Sequence, residues 1–171
     1  RRLPFRMLLF RPDRHFTRVT AIDPARDLRD AGISCVLLDM DNTLVARDTH
    51  AAPDDVRAWL EGLGAYGVRA CILSNNCHAS AYDHARDLGL PIVAKACKPL
   101  PFSYGRALRL METRKEATVG IGDQLATDVL GAHLHGMRAF YVDPLCTADL
   151  AYMHVLRAVD RRILAGMDAE S

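Results

Sequence analysis

Short apolar runs alternate with helix-periodic stretches along this chain, and that alternation constrains its fold more than any other feature. The runs are Cys35–Met40, Ala70–Leu73, Ile92–Ala94, Ala117–Ile121 and Arg138–Val142. One helical stretch follows Pro53, with Val56, Trp59, Leu60 and Leu63 at i, i+3, i+4 and i+7. Others are expected over Ala79–Leu88, with Gly89 as a stop signal, over about Phe102–Met111 and over Ala126–His135. A final helix at about 149–165 carries Tyr152, Val155, Leu156, Val159 and Ile163 on one stripe. Strands joined by helices of this length pair in parallel through right-handed crossovers. Near-continuous apolar runs suit strands covered on both faces. The expected fold is α/β: a three-layer sandwich around a central parallel sheet of about five strands, forming a single domain over 19–171.

Charge excludes some functions. The 171 residues hold 22 Lys+Arg against 21 Asp+Glu, so a dedicated nucleic-acid binder, which carries a basic excess, is not expected. The charge is uneven, however. Residues 1–18 contain six arginines and one aspartate, a local +5 interleaved with Leu3, Phe5, Leu8, Leu9 and Phe10. This N-terminal arm reads either as a solvated, frayed segment or as an attachment surface for an anionic membrane or partner. The five cysteines (Cys35, Cys71, Cys77, Cys97, Cys146) form no CxxC pair and suggest neither a disulfide framework nor a zinc site. The apolar stretch Met7–Phe10 is shorter than a secretory core, and no apolar run reaches transmembrane length. A cytoplasmic location is expected, with peripheral contact at the inner membrane surface if the arm attaches there.

In a parallel α/β sheet, ligands bind beyond the carboxyl ends of the strands, near a switch in strand order. The polar residues at those ends are not random. The first run ends in Leu38-Asp39-Met40-Asp41-Asn42-Thr43, with acids at i and i+2 on one side of an extended chain. The second ends in Ser74-Asn75-Asn76, and Lys98-Pro99 follows the third by a few residues. The fourth leads into Gly122-Asp123-Gln124-Leu125-Ala126-Thr127-Asp128. Like charges this close need a cation or a shared proton. Three acids with a serine and a lysine on one rim describe a site for a hard cation and a phosphate.

This set resembles the four motifs of the haloacid dehalogenase (HAD) superfamily, whose members are mostly magnesium-dependent phosphatases working through an aspartyl-phosphate. The stretches GISCVLLDMDNTLV, ILSNN, AKACKPLPFSYGRAL and GIGDQLATDVLGAHLHGM are similar to the YqeG-type phosphatases of capless subclass IIIA, a group related to phosphatidylglycerophosphate phosphatases. The resemblance implies that Asp39 is the nucleophile and that Asp41 is the general acid/base. It implies that Asp39, Asp123 and the backbone carbonyl of Asp41 hold Mg²⁺, and that Ser74, the amide of Asn75 and Lys98 bind the phosphoryl oxygens. Thr43 and Asp128 would then support these groups from behind. Lys95 is the competing lysine, but it precedes the matching Lys-Pro pair.

The spacing also implies an open site. The gaps 44–73 and 77–97 are consumed by helices and strands and leave no room for an inserted cap domain. Water must then be excluded by the flap Val45–Ala52, by a second subunit of a homo-oligomer or by a bulky substrate. Three functions follow: a phosphatase of phosphatidylglycerophosphate, a phosphatase of a soluble metabolite capped by its oligomer, or a low-turnover regulatory protein that keeps the fold.

Overall fold

A computed structural model of the chain describes residues 8–146 and 153–171. Its strands are β1 (Arg14–Phe16), β2 (Cys35–Leu38), β3 (Arg69–Leu73), β4 (Ile92–Val93), β5 (Thr118–Gly122) and β6 (Arg138–Val142). Its helices are α1 (Asp54–Gly62), α2 (Ala79–Asp87), α3 (Phe102–Leu110), α4 (Leu130–Leu134) and α5 (Met153–Leu164). A π-helical turn, Leu125–Val129, leads into α4. The strands form one parallel sheet in the order β1-β6-β5-β2-β3-β4.

The period-2 alternation of each strand divides the core in two. Val36 and Leu38 of β2 face a layer containing Val56, Trp59 and Leu60 of α1 and Ala81 and Ala85 of α2. Cys35 and Leu37 face the opposite layer, with Tyr104 and Ala107 of α3, Ala132 of α4 and Ile163 and Leu164 of α5. Each fully buried aliphatic side chain contributes about 1.5–3 kcal/mol of hydrophobic stabilisation. Trp59 packs with its polar end satisfied, Nε1–H donating to the carbonyl of Ile22 at 2.8 Å. The expected three-layer α/β sandwich is therefore present, and the described residues include no cap domain.

The sheet has six strands rather than about five. The additional one, β1, lies within the segment 1–18: Phe16 is fully buried and His15 is buried beside it. Asp13 N–H donates to Ala139 O at 2.8 Å and Asp143 N–H to Phe16 O at 3.0 Å, which binds β1 to β6. On the outer edge, Thr17 N–H donates to Glu170 O at 2.8 Å and Glu170 N–H to His15 O at 2.9 Å. The end of the chain thus covers backbone groups that an edge strand would expose. Residues 1–7 lie outside the described residues. Leu8 and Leu9 are exposed, while Phe10 packs on the core.

The final helix also differs in its buried stripe. Residues 149–152 of the expected helix, and the side chains of Tyr152, Val155 and Leu156, lie outside what the structure describes. Val159 is exposed; the inward stripe is Asp160, Ile163 and Leu164, at i, i+3 and i+4. One residue along a helix is a rotation of about 100°, enough to take Val159 off the inward face. Among the described residues, no helix is long and apolar enough to cross a membrane.

Candidate active site

Strand order reverses between β2 and β5, and the site lies there. From β2 the chain moves outward through β3 and β4, then returns to place β5 against the other side of β2. Leu38 pairs with Ile121, and Asp39 N–H donates to Ile121 O at 2.8 Å. This register brings the Asp39 and Asp123 strand ends side by side. Carboxylate oxygens of Asp39, Asp123 and Asp128 lie within 4.8 Å of one another, and all three residues are buried.

Lys98 joins the group from the loop after β4. Its ammonium donates to Asp39 Oδ1 and Asp128 Oδ1, each at 2.6 Å, and the side chain is almost wholly buried. Burial by itself would pull the lysine down, but the charges of Asp128 and Asp39 outweigh it and hold Lys98 above the ordinary lysine range. Burial pushes Asp128 the other way, above the usual carboxylate range, against the pull of Lys98. Lys95, the competing lysine, is exposed.

Three buried carboxylates clustered with one ammonium leave negative charge in excess. All the ligand atoms they offer are hard oxygens. That donor set fits a divalent hard cation such as Mg²⁺ and does not suit a soft one. Asp41, half-buried, sits beside them and lines the same cleft. Burial, followed by the negative charge of Asp39, raises its carboxyl above the usual range. An acid that holds its proton more tightly is suited to proton transfer.

Ser74 follows β3 directly and is fully buried, its Oγ accepting from Asn76 N–H at 3.1 Å. The side chain of Asn75 has a role not foreseen from the sequence. It braces the Lys98 backbone, with Lys98 N–H donating to Asn75 Oδ1 at 2.6 Å and Asn75 Nδ2 donating to Lys98 O at 3.2 Å. Thr43 is buried, and its Oγ1 has no hydrogen-bond partner among the described residues. A bound water or phosphate oxygen is the kind of group that satisfies such a hydroxyl.

Three contributors escape a reading of the sequence. Gly122 closes β5 where a Cβ would stand 2.3 Å from the Asp128 carboxyl, so only glycine admits that side chain. Tyr104 lies beneath, its hydroxyl donating to Asp128 O at 3.2 Å, and a Cβ on Gly131 would meet that hydroxyl at 2.4 Å. Arg47 enters from the flap, which closes through an antiparallel bridge between Ala46 and Ala51. The glycines are visible in the sequence, but their close approaches are not.

Asp39, Asp41, Arg47, Asn75 and Lys98 border an open cleft of about 450 Å³, also lined by Asn76, Cys77, His78, Gln124 and Thr127. The volume exceeds that of a phosphoryl group and falls in the range of small-ligand sites.

Comparison with known proteins bears on the family and the fold. Residues 96–144 match the family described as HAD-hydrolase-like. The chain is 35% identical over 158 residues to "Probable phosphatase YqeG" of Bacillus subtilis (strain 168), covering 92% of this chain and 91% of that one. Among solved structures it is similar to an uncharacterized protein from Listeria monocytogenes serotype 4b (TM-score 0.55, 19% identity, 74% of this chain and 99% of that one). It is also similar to the cobalt-bound deoxy-D-mannose-octulosonate 8-phosphate phosphatase from Haemophilus influenzae (TM-score 0.53, 14% identity, 80% and 90%). At such identities the structural likenesses speak for the fold alone.

Proposed function

Because the chain belongs to the HAD-like hydrolases, with a YqeG relative aligned over nearly its whole length, we propose that it is a Mg²⁺-dependent phosphomonoester hydrolase acting through an aspartyl-phosphate on Asp39. The observation that carries this reading is the buried Asp39–Lys98–Asp128 ion pair beside Asp123, opening onto the cleft.

Asp39, Asp123 and the backbone carbonyl of Asp41 would hold the ion, which when bound neutralises phosphoryl charge and admits an anionic nucleophile. The rest falls to the chain's own side chains. Lys98 keeps Asp39 ionised and oriented, and adds a fixed positive charge next to the reacting oxygens. An Asp39 carboxylate oxygen attacks phosphorus, and the bond from phosphorus to the ester oxygen breaks. Asp41 gives its proton to the departing alkoxide. It then takes one from a water that attacks the phospho-Asp39, releasing inorganic phosphate and restoring both acids. Ser74 and the Asn75 amide would hold the phosphoryl oxygens in line, with Thr43 and Asp128 fixing the groups around them.

For the substrate we favour phosphatidylglycerophosphate. Support comes from the resemblance of the motifs, from an open cleft that can meet a phosphate at a bilayer surface, and from the basic, apolar N-terminal segment that continues into exposed Leu8 and Leu9. Arginines near anionic lipid contribute on the order of 1 kcal/mol each.

Two measurements test the proposal. Brief reaction with labelled substrate and acid quench should trap phosphate on the wild-type chain and none on Asp39→Asn; label on serine or histidine refutes the nucleophile. Activity on phosphatidylglycerophosphate in mixed micelles should exceed that on glycerol phosphate in kcat/KM. Equal efficiency on the lipid and on its soluble head group would argue for a soluble metabolite instead.

A further inference from the structure

The reaction centre occupies only part of the cleft. Beyond Asp39, Asp41, Asn75 and Lys98 its wall consists of Arg47, Asn76, Cys77, His78, Gln124 and Thr127, whose side chains carry polar groups. Such a wall offers hydrogen-bonding partners to a leaving group. Lys98 is committed to Asp39 and Asp128 at the floor. Arg47 brings a second cation into the same space from a different element, the flap.

The flap also sets where Arg47 starts from. Arg47 N–H donates to Asn42 Oδ1 at 3.2 Å, and Asn42 is fully buried in the left-handed region at φ 62°. Asn42 is tied in turn to the loop after β6, where Leu145 N–H donates to Asn42 O at 2.9 Å and Cys146 Sγ–H to Asn42 Oδ1 at 3.0 Å. A guanidinium on a braced backbone that lines the cleft has the planar fork that binds a phosphate or phosphodiester through two parallel hydrogen bonds.

We propose that Arg47 is the specificity-determining residue of this site, binding a second anionic group carried by the leaving group of the substrate. The preferred substrates are then phosphomonoesters whose leaving group bears a further phosphate or phosphodiester. A lipid head group and a soluble bisphosphate share that chemistry. The inference rests on the hydrolase reading above and adds to it the residue that selects the substrate.

The test compares wild type, Arg47→Gln and Arg47→Lys on four probes: p-nitrophenyl phosphate, fructose 1,6-bisphosphate, soluble glycerophosphoglycerophosphate, and phosphatidylglycerophosphate in mixed micelles. Loss of one charge-assisted interaction should lower the two-anion to one-anion ratio of kcat/KM by about tenfold or more in Arg47→Gln, mainly through KM. Arg47→Lys should recover part of it. A loss concentrated on the two diester probes assigns the subsite to a lipid-type head group, and a loss on the bisphosphate assigns it to a soluble metabolite. Equal loss on all probes, carried by kcat with a shifted pH profile, would mean that Arg47 serves Asp41, and would overturn the proposal. An unchanged ratio would overturn it as well. If wild type hydrolysed none of the probes, the hydrolase reading would fail by itself. Calorimetric binding of glycerophosphoglycerophosphate to Asp39→Asn and to Asp39→Asn/Arg47→Gln would still decide the role of Arg47: equal affinities refute it, and weaker binding to the double variant supports it.

Discussion

Replacing Gly122 by alanine adds one carbon at the most crowded point of the site. The new Cβ would lie 2.3 Å from Cγ and Oδ2 of Asp128 and 2.7 Å from its Cβ, against the 3.4–4 Å of ordinary contact. Asp128 cannot retreat as a unit. Its N–H is held by Gln124 O at 2.9 Å and its carbonyl by the Tyr104 hydroxyl at 3.2 Å. The carboxyl must therefore swing away, giving up the 2.6 Å bond from Lys98 and the 3.1 Å bond from Gln124 N–H. Overpacking costs about 1–3 kcal/mol, and losing a hydrogen bond to a charged group about 1.5–3 kcal/mol. The expected destabilisation is about 4 kcal/mol, which for a domain of this size lowers Tm by roughly 8–16 °C. Denaturant unfolding, followed by fluorescence from the single Trp59, measures it. Asp128→Ala removes the colliding atoms, so Gly122→Ala should cost much less in that background, a non-additivity of 1 kcal/mol or more by order of magnitude. Gly62→Ala, with nothing within 4 Å of the new carbon, is the control and should be neutral or stabilising by up to about 1 kcal/mol. A Gly122→Ala chain as stable as wild type, or a strictly additive cycle, refutes the reasoning.

Chelation by EDTA should abolish turnover and Mg²⁺ should restore it, while Ca²⁺, which accepts more ligands at longer distances, should inhibit; full activity after rigorous metal removal contradicts the donor-set argument. Asp27 is buried, and although burial raises its carboxyl, hydrogen bonds from Arg26, Arg14 and the Asp23 N–H bring it down to about 2. A depressed folded-state value means stabilisation that is complete above the unfolded value and lost as pH falls through about 2, worth about 2 kcal/mol at neutral pH. Asp27→Asn should therefore lose that amount at pH 7, with the difference from wild type vanishing near pH 2; a pH-independent difference refutes it. His133 places Nδ1 2.7 Å from Leu9 O and Nε2 3.1 Å from Asp13 Oδ2, two acceptors that only the imidazolium serves together, and the Asp13 bond raises its pKa above the ordinary histidine value. This contribution is complete below about pH 6.5 and lost as pH rises through the raised value, so the stability lead of wild type over His133→Gln should shrink across that window; a constant lead counts against the contact.

Local pattern was enough to determine the architecture and the chemical groups of this protein. Apolar periodicity is a property of consecutive residues, so β2, β3, β5 and β6 and the helices α1, α2 and α3 were all legible to within a residue or two. Since strand ends of a parallel sheet share a rim, Asp39, Ser74, Lys98 and Asp123 could be assigned to one site before any contact was known. Tertiary structure decided what those groups do to one another. The Lys98 ammonium meets Asp39 across 59 residues of sequence and Asp128 across 30, and no local signal states that a lysine five residues beyond a two-residue strand will be buried between two acids. The edge strand β1 has only Arg-His-Phe to announce it and exists because β6 and Glu170 supply its hydrogen bonds. The stripe on α5 turned by one residue to bring in Asp160, and Gly122 is required by a carboxylate six positions later that folds back over it. Periodicity is written by neighbours in sequence, whereas close approach, edge pairing and charge partnership are set by the register of segments that meet only in the folded chain.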